Sequence, residues 1–215
     1  MKIGMISLGC AKNLVVSEQM LYKLREGGHE IVADEKQAEI IVVNTCGFIE
    51  DAQQEAINTI LETAELKKSA ALKKLIVTGC LSELFREQIA EEMPEVDAVV
   101  GVGSCDNIAM QGERPCDFAS NSGPVSETPR IISTGSVWAY VLIAEGCDNF
   151  CSYCLIPKIR GRFRSRSMEN VLKEARELAE AGYKELILVA QDLTRYGTDL
   201  YGGPSLAKLL RELCK

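Results

Sequence analysis

The sequence predicts an α/β protein in two parts, a doubly wound parallel sheet followed by the opening units of a (β/α) barrel. Three observations carry this. Short β-branched apolar runs alternate with helical patterns over residues 1–112. A stretch rich in Ser, Gly and Pro, without apolar period, makes residues 113–136 a linker. The alternation resumes at residue 137 and covers two further βα units up to residue 215.

In the first part "KIGMISL" (2–8), "EIIVVNT" (39–45), "KLIVTG" (74–79) and "DAVVGV" (97–102) read as strands of a buried parallel sheet, and "HEIVA" (29–33) as a weaker one. Ile49, Ala52, Ala56, Ile60 and Ala64 recur at three and four residues and form one apolar helix face. Met20, Leu21 and Leu24 do the same on a helix closed by Gly27 and Gly28. Repeated β–α units of this kind put helices on both sheet faces. In the second part "VWAYVLIAE" (137–145) and "ELILVAQ" (185–191) are strands. Between them Ser167 caps a helix with Val171, Leu172, Ala175, Leu178 and Ala179 inward, ending near Gly182. Pro204 and Ser205 open a last helix carrying Leu206, Leu209, Leu210 and Leu213. A complete eight-unit barrel takes about 250 residues. The two units of residues 137–215 would leave bare sheet edges, so the chain is expected to be a fragment with a truncated barrel.

With 47% hydrophobic and 26% charged residues the composition is that of a globular protein. A net charge of −7 argues against holding bare nucleic acid by bulk charge. No apolar run approaches the ~20 residues needed to span a bilayer, so no membrane association is expected. "MKIGMISLGC" lacks the features of a signal peptide, and a cytoplasmic location is expected. Nine cysteines are many for such a compartment; they favour metal or catalysis over a disulfide framework.

Cys147, Cys151 and Cys154 form a C-x3-C-x2-C frame directly after a strand, where α/β folds place their chemistry. Thiolates suit zinc, copper(I) or iron–sulfur centres. One reading is a zinc knuckle completed by a ligand from elsewhere. The other is a four-iron cluster with one iron open to a small molecule, an open position being the mark of catalytic metal sites. Cys10, Cys46 and Cys80 are separated by 35 and 33 residues, yet each follows a predicted strand. Parallel strands end on one edge, so the three can meet; equally, small cysteines are often simply buried. Cys105, Cys116 and Cys214 match no motif. Lys158, Arg160, Arg162, Arg164 and Arg166 alternate in "KIRGRFRSR", which on an extended segment makes a basic ridge, either a solvated edge or a contact for phosphates. Asn13 and Asn44 lie beside the first cysteines and either donate hydrogen bonds around them or shape turns.

The C-x3-C-x2-C spacing, with Tyr153 before the last cysteine, resembles the signature of the radical S-adenosylmethionine (SAM) superfamily. The resemblance implies a [4Fe-4S] cluster whose open iron is chelated by SAM, reductive cleavage of which yields a 5′-deoxyadenosyl radical. It makes Tyr153 and Arg160 candidates for bordering the SAM pocket. By position Gln191 is a candidate for holding the methionine amino group, although Ala190-Gln191-Asp192 departs from the superfamily's Gly-Gly-Glu-like element.

"SLGCAKN" (7–13), "VNTCGFI" (43–49), "EGCDNFCSYC", "IPKIRGRFRSR" (156–166) and "LVAQDLTRYGTDLYG" (188–202) together resemble the methylthiotransferase family of that superfamily. This implies a second [4Fe-4S] cluster on Cys10, Cys46 and Cys80. The motifs resemble the branch that methylthiolates the β-carbon of an aspartate in small-subunit ribosomal protein S-twelve more than the branch that modifies an adenosine of tRNA. Implied partners are that protein or the ribosome, a reductant such as flavodoxin or ferredoxin, and a sulfur donor. Family members continue through the rest of the barrel to a TRAM domain, absent here. A non-catalytic iron–sulfur or zinc module is the alternative of a different class.

Overall fold

The computed structural model describes residues 1–69, 71–102, 116–117 and 123–215. Cys105 lies outside them. The chain forms two compact units, Met1–Ser120 and Asn121–Lys215.

In the first unit the elements are β1 (Lys2–Ser7), α1 (Ala11–Glu26), β2 (Glu30–Ile31), β3 (Ile40–Thr45), α2 (Glu50–Ser69), β4 (Lys74–Gly79), α3 (Cys80–Glu92), β5 (Ala98–Val100) and β6 (Cys116–Asp117). They build one parallel sheet in the order β2-β1-β3-β4-β5-β6. Alternate residues serve opposite faces. Ile40 and Val42 of β3 and Ile76 of β4 pack with Ile3 and with Met20 and Leu24 of α1. Ile41, Val43, Leu75 and Val77 face Ala56, Ile60 and Ala64 of α2 and Leu81 and Ile89 of α3. Every β3 residue is buried, which is why this strand reads as an unbroken apolar run. Each fully buried aliphatic side chain contributes about 1.5–3 kcal/mol by removal from water. The doubly wound sheet follows from these two layers.

The strand order reverses between β1 and β3, and such switch points open a crevice at the carboxyl ends of the strands. The register places Ser7 beside Asn44, Asn44 beside Thr78 and Thr45 beside Gly79. Strands β1, β3 and β4 therefore end at one level, and the residues after them leave from one edge.

Two expectations change here. Ile49 stands before α2 rather than on its inner face and is 56% exposed. Helix α3, absent from the sequence reading, begins directly at Cys80 and bends at Phe85, whose φ/ψ of −127/33 is not helical. Its short apolar pattern, broken by this bend, hides the helical period.

The second unit contains β7 (Trp138–Leu142), β8 (Ala144–Glu145), α4 (Ile156–Arg160), β9 (Arg164–Ser165), α5 (Met168–Glu180), β10 (Glu185–Val189) and α6 (Leu206–Leu213). Strands β7 and β10 pair in parallel, Trp138 opposite Glu185 and Leu142 opposite Val189. Their core partners are Val171 and Leu178 of α5, Leu209 of α6 and Tyr196. Ser167 caps α5 as expected, its hydroxyl accepting from the Asn170 N–H at 3.3 Å, whereas Ala179 is exposed. The single strand expected over residues 137–145 is interrupted at Ile143, and β8 turns to pair antiparallel with β9. Strand β10 is half-buried rather than buried, because among the described residues only β7 pairs with it.

The described part of the expected linker is not free chain. Arg130 Nε meets Glu174 Oε1 of α5 at 2.6 Å, and Arg130 also donates to the Tyr140 carbonyl. Thr134 Oγ1 donates to the Trp138 carbonyl at 2.7 Å, and Val125 is buried. Polar anchoring of this kind leaves no periodic trace in a sequence.

Two candidate cysteine centres

The three strand-end cysteines of the first unit are brought together. Cys10 is the N-cap of α1, Cys46 follows β3, and Cys80 is the first residue of α3. Three glycines let their loops touch. A Cβ on Gly9 would lie 2.7 Å from Cys46 Cβ and 3.0 Å from its Sγ. One on Gly47 would lie 2.8 Å from Leu81 Cα and 3.1 Å from Cys80 C, and one on Gly79 would lie 2.3 Å from Thr45 O. Each cysteine thus has a glycine neighbour pressed against the next loop. The thiols step from exposed (Cys10) through half-buried (Cys46) to buried (Cys80). Two helix N-termini point at this edge and favour negative charge there.

A buried polar lattice underlies the thiols. Asn13 Nδ2 donates to the carbonyls of Leu8 at 3.1 Å and Thr45 at 2.9 Å, while Cys80 Sγ lies 3.9 Å from Asn13 Oδ1. Asn44 Nδ2 donates to the Asn13 carbonyl and to Ser17 Oγ, both at 2.9 Å. Both asparagines are at most 2% exposed, so each needs its partners.

In the second unit Gly146, with φ +73, sends the chain from β8 into the loop of Cys147, Cys151 and Cys154. A Cβ here would stand 2.0 Å from Arg162 O, so the loop lies directly on the Gly161–Arg162 segment. Cys147 N donates to Gly161 O at 3.2 Å and Cys154 N to Cys151 O at 2.9 Å. Phe150, between the first two cysteines, has φ +47, a left-handed conformation held from outside the loop. Arg162 lies over its ring at 4.6 Å. Asp148 Oδ1 accepts from Phe163 N at 3.2 Å. Asn149 bridges to Asp192 and Arg195, both at 3.3 Å. The Thr194 hydroxyl, which bonds Asp192, and then Asn149, hold the Asp192 carboxyl below its usual range. The thiols again grade from buried Cys147 through half-buried Cys154 to exposed Cys151.

Behind the loop Glu145, 8% exposed, receives Arg160 Nη1 at 3.0 Å. Gln191 Nε2 reaches Glu145 Oε2 at 3.5 Å. Gln191 Oε1 is buried and accepts no hydrogen bond among the described residues. Such an orphan acceptor suits a donor group of a bound molecule. Of the expected pocket residues, Gln191 and Arg160 therefore share one polar cluster with Glu145. Tyr153 is 83% exposed and is not joined to that cluster by any contact among the described residues.

The basic ridge does not form. Residues 156–160 are helical, Gly161 turns the chain, and the arginines diverge. Arg160 and Arg166 are buried, the latter paired with Glu174 at 2.6 Å, leaving Lys158 and Arg162 exposed. Alternation along a chain predicts one face only where the chain is extended. Sequence reasoning also missed Glu145, Asp148, Asn149 and Arg195. The signal available for Glu145 was a charge inside a strand, just before Gly146 and Cys147.

Among the described residues, no three Cys, His, Asp or Glu side chains converge tightly enough to grip a single metal ion. By donor chemistry, trios of thiolates suit an iron–sulfur cluster. Also among the described residues, no helix is long and apolar enough to cross a membrane.

Residues 2–101 match the family model described as "Uncharacterized protein family UPF0004", and residues 141–215 match the radical SAM superfamily. The two matches set a radical SAM unit after a UPF0004 unit. Over its whole length the chain is similar to ribosomal protein uS12 methylthiotransferase RimO. It is 49% identical to that of Clostridioides difficile (strain 630), over 100% of this chain and 50% of the relative. Identity is 54% with that of Lachnoclostridium phytofermentans, again over 100% and 50%. With that of Thermoanaerobacter sp. (strain X514) it is 49%, over 99% and 50%. The chain thus spans about half the length of the curated relatives it matches. Among solved structures, the radical SAM methyltransferase TsrM from Kitasatospora setae, with cobalamin and a [4Fe-4S] cluster bound, aligns with a TM-score of 0.61. At 15% identity, over 98% of this chain and 52% of that one, the likeness is one of fold.

Proposed function

We propose that this chain is part of a radical SAM methylthiotransferase acting on the β-carbon of an aspartate in ribosomal protein uS12. The observation that carries the reading is two cysteine trios, each at strand ends, on a chain 49–54% identical to RimO sequences. The site division is part of the reading: Cys10, Cys46 and Cys80 of a domain at 1–112 would hold one [4Fe-4S] cluster. Cys147, Cys151 and Cys154 of a domain at 137–215 would hold a second, with SAM beside it. Once bound, these groups supply the electron transfer and radical chemistry that a carbon–hydrogen bond requires.

The chain's own residues position and orient. Gln191 is held through Nε2 by Glu145, and its buried Oε1 would accept a hydrogen bond from the amino group of bound SAM. Arg160 pairs with Glu145 through Oε1, and Glu145 Oε2 holds Gln191. Exposed Tyr153, next to Cys154, would border bound SAM. A low-potential reductant such as flavodoxin or ferredoxin and a sulfur donor complete the reaction, in the cytoplasm.

Anaerobic reconstitution tests the metal assignment. About eight irons per chain are expected, falling to about four on Cys46→Ala and to about four on Cys147→Ala. About four irons, all lost on Cys147→Ala and none on Cys46→Ala, would overturn the two-cluster reading, and tight zinc in their place would point to a non-catalytic module. Mass spectrometry of uS12 and of tRNA nucleosides from a strain lacking the gene tests the substrate. Loss of methylthio from tRNA alone would assign a MiaB-type activity instead.

A further inference from the structure

We propose that Asn13 is a positioning residue whose single carboxamide sets the spacing of the three thiols in the first unit. The inference rests on the reading of Cys10, Cys46 and Cys80 as one site and assigns the residue that builds it.

The carboxamide is 0% exposed and its polar atoms address all three cysteine-bearing strand ends. Through Nδ2 it ties Leu8, two residues before Cys10, and Thr45, one residue before Cys46. Through Oδ1 it faces the sulfur of Cys80. These three residues lie at the ends of β1, β3 and β4, where Leu8 N donates to Asn44 O at 2.9 Å. Sheet pairing runs up to Ser7, Thr45 and Gly79. At the residues that follow, a buried amide with two donors and an acceptor adds a restraint common to all three ends.

The side chain cannot swing away. Its own backbone carbonyl accepts from Asn44 Nδ2. Gly9 closes the remaining side, since a Cβ there would stand 3.5 Å from Asn13 Nδ2. An aspartate is the same size but donates no hydrogen bond and sets a carboxylate against two carbonyls and a thiol. Ser17 anchors α1 through Ser7 and Asn44 without touching a cysteine loop, so it separates lattice stability from thiol spacing.

The test uses the chain with Cys105, Cys116, Cys147, Cys151, Cys154 and Cys214 replaced by serine, so that only the first trio remains. Phenylarsine oxide, a trivalent arsenical that closes across neighbouring thiols, reports their spacing without iron; ferrous iron and sulfide report cluster loading. Asn13→Asp should weaken arsenical binding by about tenfold or more, the loss expected on removing one hydrogen-bonded restraint. It should also reduce iron from about four per chain to below about one. Ser17→Ala should leave both readouts within about twofold. Arsenical binding within about twofold in a folded Asn13→Asp chain would overturn the proposal. If circular dichroism shows that variant unfolded, Asn13→Ser decides by the same thresholds. Unfolding of both variants would also overturn it, since the amide would then stabilise the unit rather than space its thiols. A parent chain that binds the arsenical but no iron would sink the cluster reading and leave the role of Asn13 standing; full iron loading of Asn13→Asp would do the reverse.

Discussion

Replacing Arg160 by methionine removes the ion-pair partner of a buried carboxylate. The side chains of Arg160 and Glu145 are 3% and 10% exposed and their contact is 3.0 Å. Around Glu145 there remain Gly146 N at 3.3 Å, Gln191 Nε2 at 3.5 Å and the half-buried Arg164 on the facing strand β9. Breaking a buried pair by removing one partner costs about 3–5 kcal/mol, because the other charge is left in a poorly solvated site. The assay is urea unfolding followed by fluorescence. Trp138, the only tryptophan of the sequence, lies in β7 and reports on the second unit. With an m-value of about 1–1.5 kcal/mol/M for a unit of this size, the midpoint should fall by about 2 M or more. Pairing the change with Glu145→Gln should restore most of the loss, since no uncompensated charge remains, with a coupling of about 2 kcal/mol or more. A midpoint shift below about 0.5 M in Arg160→Met, or a double variant no better than the single, would refute the argument that the pair is buried and that Arg160 is the main partner of Glu145.

Gly79→Ala should destabilise the first unit by about 3–5 kcal/mol, because φ/ψ of 101/−159 is a glycine-only region and the added Cβ meets the Thr45 backbone; calorimetry of the variant would show a loss below about 1 kcal/mol if the contact were relieved cheaply. Asp192 has a depressed carboxyl pKa when folded, so its contribution is fully present above its unfolded value of about 4 and is lost as pH falls through the lower folded value. The Thr194 amide resonance, which reports the Asp192 bond at 3.0 Å, should titrate with a midpoint below about pH 4, and a midpoint at or above that would contradict the assignment.

How far the site was legible follows from where its information lies. Cys10, Cys46 and Cys80 could be read as one group because each follows an apolar run whose strand character is local, and parallel strands share an edge. The Cys147, Cys151 and Cys154 frame was legible for the simpler reason that it is contiguous. Arg160 was misread within the ridge of alternating arginines. Its burial depends on Glu145, 15 residues away on strand β8. Arg130, in what reads as linker, is held by Glu174, 44 residues on.

By itself the sequence determined the main parallel strands, most of the inner faces of α1, α2 and α5, and the placing of the candidate cysteines after strands, because periodicity and spacing act over a few residues. Tertiary structure decided which polar groups are buried and with whom: Asn13 beneath the first trio, Glu145 with Arg160 and Gln191 behind the second. Those pairings join strand ends and loops remote along the chain. The free energy of a buried amide or charge depends on the partner that folding brings to it, and no local pattern encodes that partner.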